Sequence, residues 1–91
     1  MPLYALICTD KPDHADLRTA TRTAHLAYLE TTGAVVHGGP FVNPQGGMIG
    51  SLVIIDMPNR TMAEAWAAND PYAKAGLFAD KRIEEWKKVR G

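Results

Sequence analysis

The residues Asn69-Asp70-Pro71-Tyr72-Ala73-Lys74-Ala75-Gly76-Leu77-Phe78 separate a helical pattern from the last strand-like pattern of the chain. Pro71 lacks a backbone N–H and disfavours helical geometry at the residue before it, so a helix that passes through Ala63 is predicted to end near Asn69. Asp70 then lies at a helix break. Its carboxylate can cap the short turn that Pro71 begins, or it can hold a partner side chain in a cleft. The two roles are compatible.

Two helices are predicted before this break. The first covers residues 14–32, with Asp13 as its N-cap and Gly33 as its C-cap glycine. The second begins at Thr61-Met62-Ala63-Glu64, which has the form of a capping box with Thr61 as the cap. A short helical or irregular piece is expected after Pro71.

Four segments are predicted to be strands, and they cover residues 3–8, 34–42, 48–57 and 81–89. The turn residues Asn43-Pro44-Gln45-Gly46-Gly47 join the second and third strands in a hairpin. The resulting order, βαββαβ, predicts an α+β fold of the ferredoxin-like type. Such a sandwich has a four-stranded antiparallel sheet with two helices on one face.

The predicted sheet has a second face that needs a cover. The first and third strands are apolar at nearly every position, so both of their faces are apolar. Two helices cover only one face, and the other would leave a larger apolar patch than monomers usually expose. A second copy packed sheet against sheet is the economical solution, so we expect a homodimer.

The amino-acid composition limits the classes of protein to which this chain can belong. The chain has 91 residues, of which 46% are hydrophobic and 22% charged, and these values predict one globular domain over residues 1–91. Ten basic and ten acidic residues leave no net charge, which disfavours nucleic acid and anionic membrane as partners. No apolar run reaches the roughly 20 residues of a transmembrane helix, and Met1-Pro2-Leu3 carries no basic leader, so we expect a cytoplasmic protein. Cys8 is the single cysteine and is interpreted as core filler.

His25 on the first helix is the candidate for proton transfer, because an imidazole can take or give a proton close to neutral pH. A carboxylate on its other ring nitrogen would fix the tautomer and stabilise the charged form. Asp70 is the carboxylate that we pair with it. The alternative is a structural hydrogen bond that ties the first helix to the end of the second.

Arg22 lies one helical turn before His25 and can hold an anionic or enolate oxygen of a substrate. Its alternative role is to cover apolar residues with its stem. Arg18, one turn further away, is expected to be exposed to solvent.

Several residues are candidates for the walls of the cleft. Ser51 can orient a substrate oxygen or serve as a satisfied buried hydroxyl. Gly38, Gly39 and Pro40 can offer backbone groups to a ligand, or act only through conformation. His37 is placed at the same cleft.

The aromatic residues Tyr72, Phe78 and Trp66 can form a pocket for a planar ring or belong to the core. His14, His25 and His37 have no spacing typical of zinc, and no glycine-rich phosphate loop joins a strand to a helix. We therefore expect neither a metal nor a cofactor.

Four segments together resemble the YciI-like (YCII-related) family: residues 22–29, residues 38–41, residues 50–55, and Asp70-Pro71-Tyr72 with Gly76-Leu77-Phe78. The resemblance covers nearly the whole chain. It implies a dimeric α+β barrel and an active-site pair formed by His25 and Asp70. The family resembles muconolactone isomerase and related dimeric barrels in fold, and one of its branches is linked to removal of chloride from chlorinated hydroquinones.

Two functions follow as hypotheses. The first is a small cofactor-independent enzyme of the lyase or isomerase type. His25, oriented by Asp70, would move a proton on a small cyclic or aromatic-derived substrate while Arg22 or backbone amides near Gly38 hold the developing oxyanion. The alternative is a non-catalytic dimeric module that binds a small molecule or a protein in the same cleft.

Overall fold

In the computed structural model of the protein, strands and helices follow the expected βαββαβ order. The structure describes residues 2–91. Met1, which is part of the predicted domain, lies outside the described residues. The elements are β1 (Leu3–Asp10), α1 (Ala15–Thr32), β2 (Val35–Val42), β3 (Met48–Asp56), α2 (Arg60–Asn69), α3 (Pro71–Lys74) and β4 (Phe78–Trp86). The strands form one antiparallel sheet in the order β2-β3-β1-β4. The predicted ferredoxin-like α+β fold is confirmed.

One face of the sheet packs against both long helices. Side chains alternate along a strand, so Leu6 of β1 and Val53 of β3, which are register partners, point to the same face. There they join a buried cluster with Trp66 of α2, and Leu29 of α1 packs against it. This layer contains the hydrophobic core. No helix within residues 2–91 is both long and apolar enough to cross a membrane.

The opposite face of the sheet carries exposed apolar side chains. Register places Phe41 and Leu52 there, together with Trp86 at the far edge. These three side chains are 41%, 37% and 39% exposed. We call this surface, formed by the side chains of the sheet that point away from the helices, the open face.

The C-terminal end of α1 was predicted correctly, and its N-terminal end was not. Gly33 is the C-cap, with φ of 62° and its N–H donating to the carbonyl of Leu29, as predicted. Asp13 was wrongly predicted as the N-cap. The helix begins at Ala15 after His14, without a side-chain cap, because Asp13 adopts a left-handed φ of 60° in the preceding turn.

The N-cap of α2 is Asn59, not Thr61. The Asn59 side-chain oxygen accepts a hydrogen bond of 2.9 Å from the backbone N–H of Met62. Thr61 therefore lies inside the first turn, and the predicted capping box is wrong. Asparagine and threonine are both favourable caps, and here the extended backbone occurs at Asn59.

The last strand is shifted toward the N-terminus relative to its predicted range of residues 81–89. Phe78 pairs with Asp10 and Trp86 pairs with Leu3, so β4 extends only as far as its partner β1. Gly76, with φ of 78°, makes the turn that leads into it. The length of this strand is set by its neighbour in the sheet.

Candidate functional site

A buried hydrogen bond joins two residues that are 45 positions apart in the chain. The Nδ1 atom of His25 lies 2.8 Å from Oδ1 of Asp70, and both residues are 6% exposed. An ionised carboxylate only accepts hydrogen bonds, so Nδ1 carries the hydrogen and donates it. The Nε2 atom of the neutral ring is then the nitrogen that can accept a proton.

The same oxygen of Asp70 also caps α3. It accepts a hydrogen bond of 3.0 Å from the backbone N–H of Tyr72, and Pro71 occupies the first turn. Pro71 thus ends α2 and starts α3, which holds the Asp70 carboxylate at the junction. Both roles that the sequence allowed for Asp70 occur together.

The ring of Tyr72 packs flat against the imidazole of His25. Its ring stacks on His25 with centroids 4.0 Å apart and an interplanar angle of 17°. Phe78 meets Tyr72 edge-on at 6.1 Å. Burial raises the pKa of the Tyr72 hydroxyl, an effect that the positive charges of Arg18 and Arg22 oppose without overcoming.

Trp66 does not belong to this aromatic group. It packs against Tyr28 at 4.9 Å and donates its indole N–H to the hydroxyl of Thr32 at 3.0 Å, in the layer between helices and sheet. The pocket interpretation of Trp66 was wrong, and its role as a core residue is observed.

Arg18 is buried, with an exposure of 3%, so the expectation that it is exposed to solvent was wrong. Its Nε donates to Oδ2 of Asp10 at 2.6 Å and its Nη2 to Oδ1 at 2.8 Å. Its Cζ lies 4.6 Å from the centroid of the Tyr72 ring. Burial alone would lower the pKa of Arg18, but the hydrogen bonds and charge of Asp10 raise it, so the guanidinium stays charged.

A cavity of about 140 Å³ lies between α1 and the part of the sheet formed by β2 and β3. It is lined by Arg18, Arg22, His25, Leu26, Leu29, Gly38, Gly39, Pro40, Met48, Ser51, Val53 and Tyr72. Six of the seven predicted site residues therefore share one cavity, and Asp70 is connected to it through His25. The roles predicted for these residues in binding and catalysis stay predictions.

Sequence reasoning missed several residues of this cavity. The helical spacing i, i+4, i+7 of Arg18, Arg22 and His25 does place them on one face of α1, but Arg18 was expected to be exposed to solvent and not to line the cavity. No comparable signal marks Leu26 or Met48.

His37 lies outside the cavity, contrary to expectation. It is exposed and borders a groove on the open face with Phe41 and Leu52. Alternation along β2 explains this position, because Gly38 faces Val53 on the helix side and its neighbour His37 must face the other way.

A smaller cavity of about 20 Å³ lies on the other side of Asp70, and Cys8, Ser51 and Lys81 contribute to its lining. Burial, with a smaller contribution from the charge of Asp70, raises the pKa of Cys8 to about 11. The thiol therefore stays protonated near neutral pH and is a poor nucleophile. Among the side chains of residues 2–91, no group of three His, Cys, Asp or Glu could hold a metal ion.

The chain is similar to known proteins in both sequence and structure. A protein of Haemophilus influenzae is 36% identical over an alignment of length 97, and the alignment covers 94% of this chain and 97% of that protein. Protein YciI of Escherichia coli is 35% identical over an alignment of length 96, which covers 96% of this chain and 98% of the relative. A solved structure of 5-chloro-2-hydroxyhydroquinone dehydrochlorinase from Burkholderia phenoliruptrix, in complex with 2,5-dihydroxybenzoquinone, superposes with a TM-score of 0.88. It is 33% identical, and the match covers 93% of each chain.

The family resemblance expected from the sequence agrees with these matches. A sequence model of the YCII-related domain matches residues 2–87, which is nearly the whole chain. The chain therefore belongs to the YCII-related, or YciI-like, family.

Proposed function

We propose that the protein is a cofactor-independent enzyme of the lyase or isomerase type that acts on a small cyclic or aromatic-derived substrate. His25 would take a proton through Nε2, and Asp70 would orient the ring and stabilise its charged form. The observation that carries the proposal is the buried 2.8 Å contact between these residues, with the imidazole lining a cavity. Such a pair can exchange protons with a molecule held in that cavity.

The size of the cavity supports a substrate with a single ring. Its volume of about 140 Å³ is close to the roughly 150 Å³ of an apolar cavity that holds one benzene molecule. Leu26, Leu29 and Met48 offer apolar contacts for the ring. Ser51 and the backbone of Gly39 and Pro40 lie on the sheet side of the same cavity, where they can contact ring substituents.

The chemistry needs only a base and an anion holder. In an elimination of hydrogen chloride, the ring carbon that bears chlorine would first take a proton while a hydroxyl group becomes a carbonyl, so that this carbon is tetrahedral. His25 would then remove a proton from another hydroxyl group, the freed electron pair would form a second carbonyl as the ring double bond shifts, and chloride would leave with its bonding pair. Arg22 would hold the oxygen on which negative charge develops. The name of the dehydrochlorinase, with its fold and 33% identity, supports this class of reaction.

The purified protein should release chloride from 5-chloro-2-hydroxyhydroquinone under anaerobic conditions, faster than the buffer alone and without added metal or cofactor. Chloride and the ultraviolet spectrum of the ring should change together. Binding of 2,5-dihydroxybenzoquinone without release of chloride would contradict the enzymatic proposal and favour the binding module. Failure of both would contradict a ring substrate of this class.

The proposal includes a homodimer in the cytoplasm, formed through the open face. The exposed apolar side chains of Phe41, Leu52 and Trp86 support it, since burying them against a second copy removes apolar area from water. Arg82 and Glu84 on β4 flank this apolar area and can form the polar rim of an interface.

A homodimer formed through the open face predicts that one charge introduced on that face separates the two copies. Sedimentation should give about twice the chain mass of 9.9 kDa for the unmodified protein. Leu52→Glu should give a folded monomer, because the side chain is already 37% exposed within one copy and becomes buried only between copies. Met62→Glu on α2, at a position 50% exposed, is the matched control and should stay dimeric. A monomeric unmodified protein would rule out the dimer.

A further inference from the structure

We infer that Arg18, held in place by Asp10, binds an anionic oxygen of the substrate, so that the cavity selects an anionic ring over a neutral one. The inference rests on the ligand site of the proposed function but not on any chemical step. The ion pair of Arg18 and Asp10 thereby has a role in specificity. This pair is not part of the arrangement of His25, Asp70 and Arg22 that was expected from the sequence.

The geometry of Arg18 leaves hydrogen-bond donors available. A guanidinium has five N–H groups in a fixed plane; Asp10 accepts from two of them, on Nε and Nη2, and the Tyr72 hydroxyl also interacts with the group, which leaves donors over. The side chain lines the cavity, so a ligand there can reach the remaining donors. Bonds from a charged donor to a charged oxygen are about twice as strong as neutral ones.

The charges around the cavity favour an anion. Asp10 balances Arg18, and Asp70 lies against His25. Arg22 lines the same cavity, and no carboxylate of residues 2–91 lies within 4.0 Å of its guanidinium in an ion pair. When His25 is neutral the four charged groups cancel, and when it takes a proton the site carries one positive charge. Arg18 and Arg22 line the cavity whereas Asp10 and Asp70 do not, so an anionic ligand in the cavity lies nearer to the positive groups than to the carboxylates.

Stability alone is a weak reason for burying this ion pair. Taking two charges out of water costs about as much as their attraction returns, and apolar replacements of such pairs are often neutral or stabilising. Asp10 does have a positioning effect, because its two hydrogen bonds fix the plane of the guanidinium. Arg18 also lies over the ring of Tyr72, and this ring stacks on His25. The anion-binding group and the base therefore both contact Tyr72.

The test compares two ligands and three variants by binding, with no turnover required. The anionic probe is 2,5-dihydroxybenzoquinone, whose hydroxyl groups are ionised at neutral pH, and the neutral probe is hydroquinone, titrated by NMR. Arg18→Met should weaken binding of the anionic probe by about 10- to 100-fold, as expected for loss of hydrogen bonds to a charged group, and should change binding of hydroquinone less than about twofold. Arg60→Met removes an exposed arginine paired with Glu64 and should change neither affinity.

Arg18→Met leaves Asp10 buried without a partner, and this variant can lose stability for that reason alone. The double variant Asp10→Asn with Arg18→Met removes both charges and should recover the free energy of unfolding. It should not recover affinity for 2,5-dihydroxybenzoquinone. Recovery of both would mean that the pair is structural and would overturn the inference, as would equal losses of affinity for the two probes. A protein that binds the anion through Arg18 but releases no chloride would contradict the proposed function and leave this inference standing.

Discussion

Replacing His25 by alanine should lower the rate of chloride release from 5-chloro-2-hydroxyhydroquinone by roughly 10²- to 10⁴-fold, the usual contribution of a positioned acid or base. The reason is that no other side chain of residues 2–91 that lines the cavity can take a proton near neutral pH as imidazole does. Asp10 keeps Arg18 charged, and burial raises the pKa of Tyr72, so its hydroxyl holds its proton. The rate constant should fall at saturating substrate.

Two further variants separate chemistry from folding. His25→Gln keeps an amide that can donate to Asp70 but cannot act as a base, so it should fold better than the alanine variant and be equally slow. His37→Ala is the matched control, because His37 is exposed and lies outside the cavity. Turnover that survives in His25→Gln would remove this imidazole from the mechanism.

Asp70→Asn should lower the same rate by on the order of 10²-fold or more, because a neutral amide does not stabilise the charged imidazole. Oδ1 of Asp70 contacts both Nδ1 of His25 and the N–H of Tyr72, so an amide oxygen in its place keeps both hydrogen bonds and loses only the charge. Nitrogen NMR of the imidazole reports which ring nitrogen carries the hydrogen.

The comparison with Asp70→Ala distinguishes this effect from capping. Asparagine caps helices about as well as aspartate, so Asp70→Asn should retain the hydrogen bond to the N–H of Tyr72 and most of the stability. Alanine loses the cap, and the free energy of unfolding should fall by about 1 kcal/mol or more. If the two variants were equally slow and only alanine were unstable, the charge of Asp70 would be the feature that turnover needs. Full activity in Asp70→Asn would show a purely structural contact.

Local patterns predicted most of the fold. Pro71 ends one helix and begins the next, Gly33 ends α1, and the turn at residues 43–47 joins β2 to β3. Each of these features depends on the backbone preferences of a few neighbouring residues, and such preferences can be recognised in sequence. The choice between Asn59 and Thr61 as a cap failed because both residues suit the position and the difference in energy is small.

The pairing of His25 with Asp70 was expected from the family resemblance, and the helix break at Pro71 gave it a local reason. The structure adds the stacking of Tyr72 on the imidazole and brings Ser51, Gly39 and Pro40 to the same cavity. These residues come from separate elements, so their distances depend on how the helices lie across the sheet.

The sequence by itself determined the order of strands and helices, the breaks between them and the apolar character of both faces of the sheet, because these follow from side-chain period and backbone preference along a few residues. Only the tertiary structure decided that Arg18 is buried and that His37 is not in the cavity. The position of Arg18 depends on β1 extending to Asp10 and on the rotation of α1 over the sheet, and that of His37 on the register of β2 with β3. Contacts between distant segments set both positions; the local helical spacing gives only the face of α1 on which Arg18 lies.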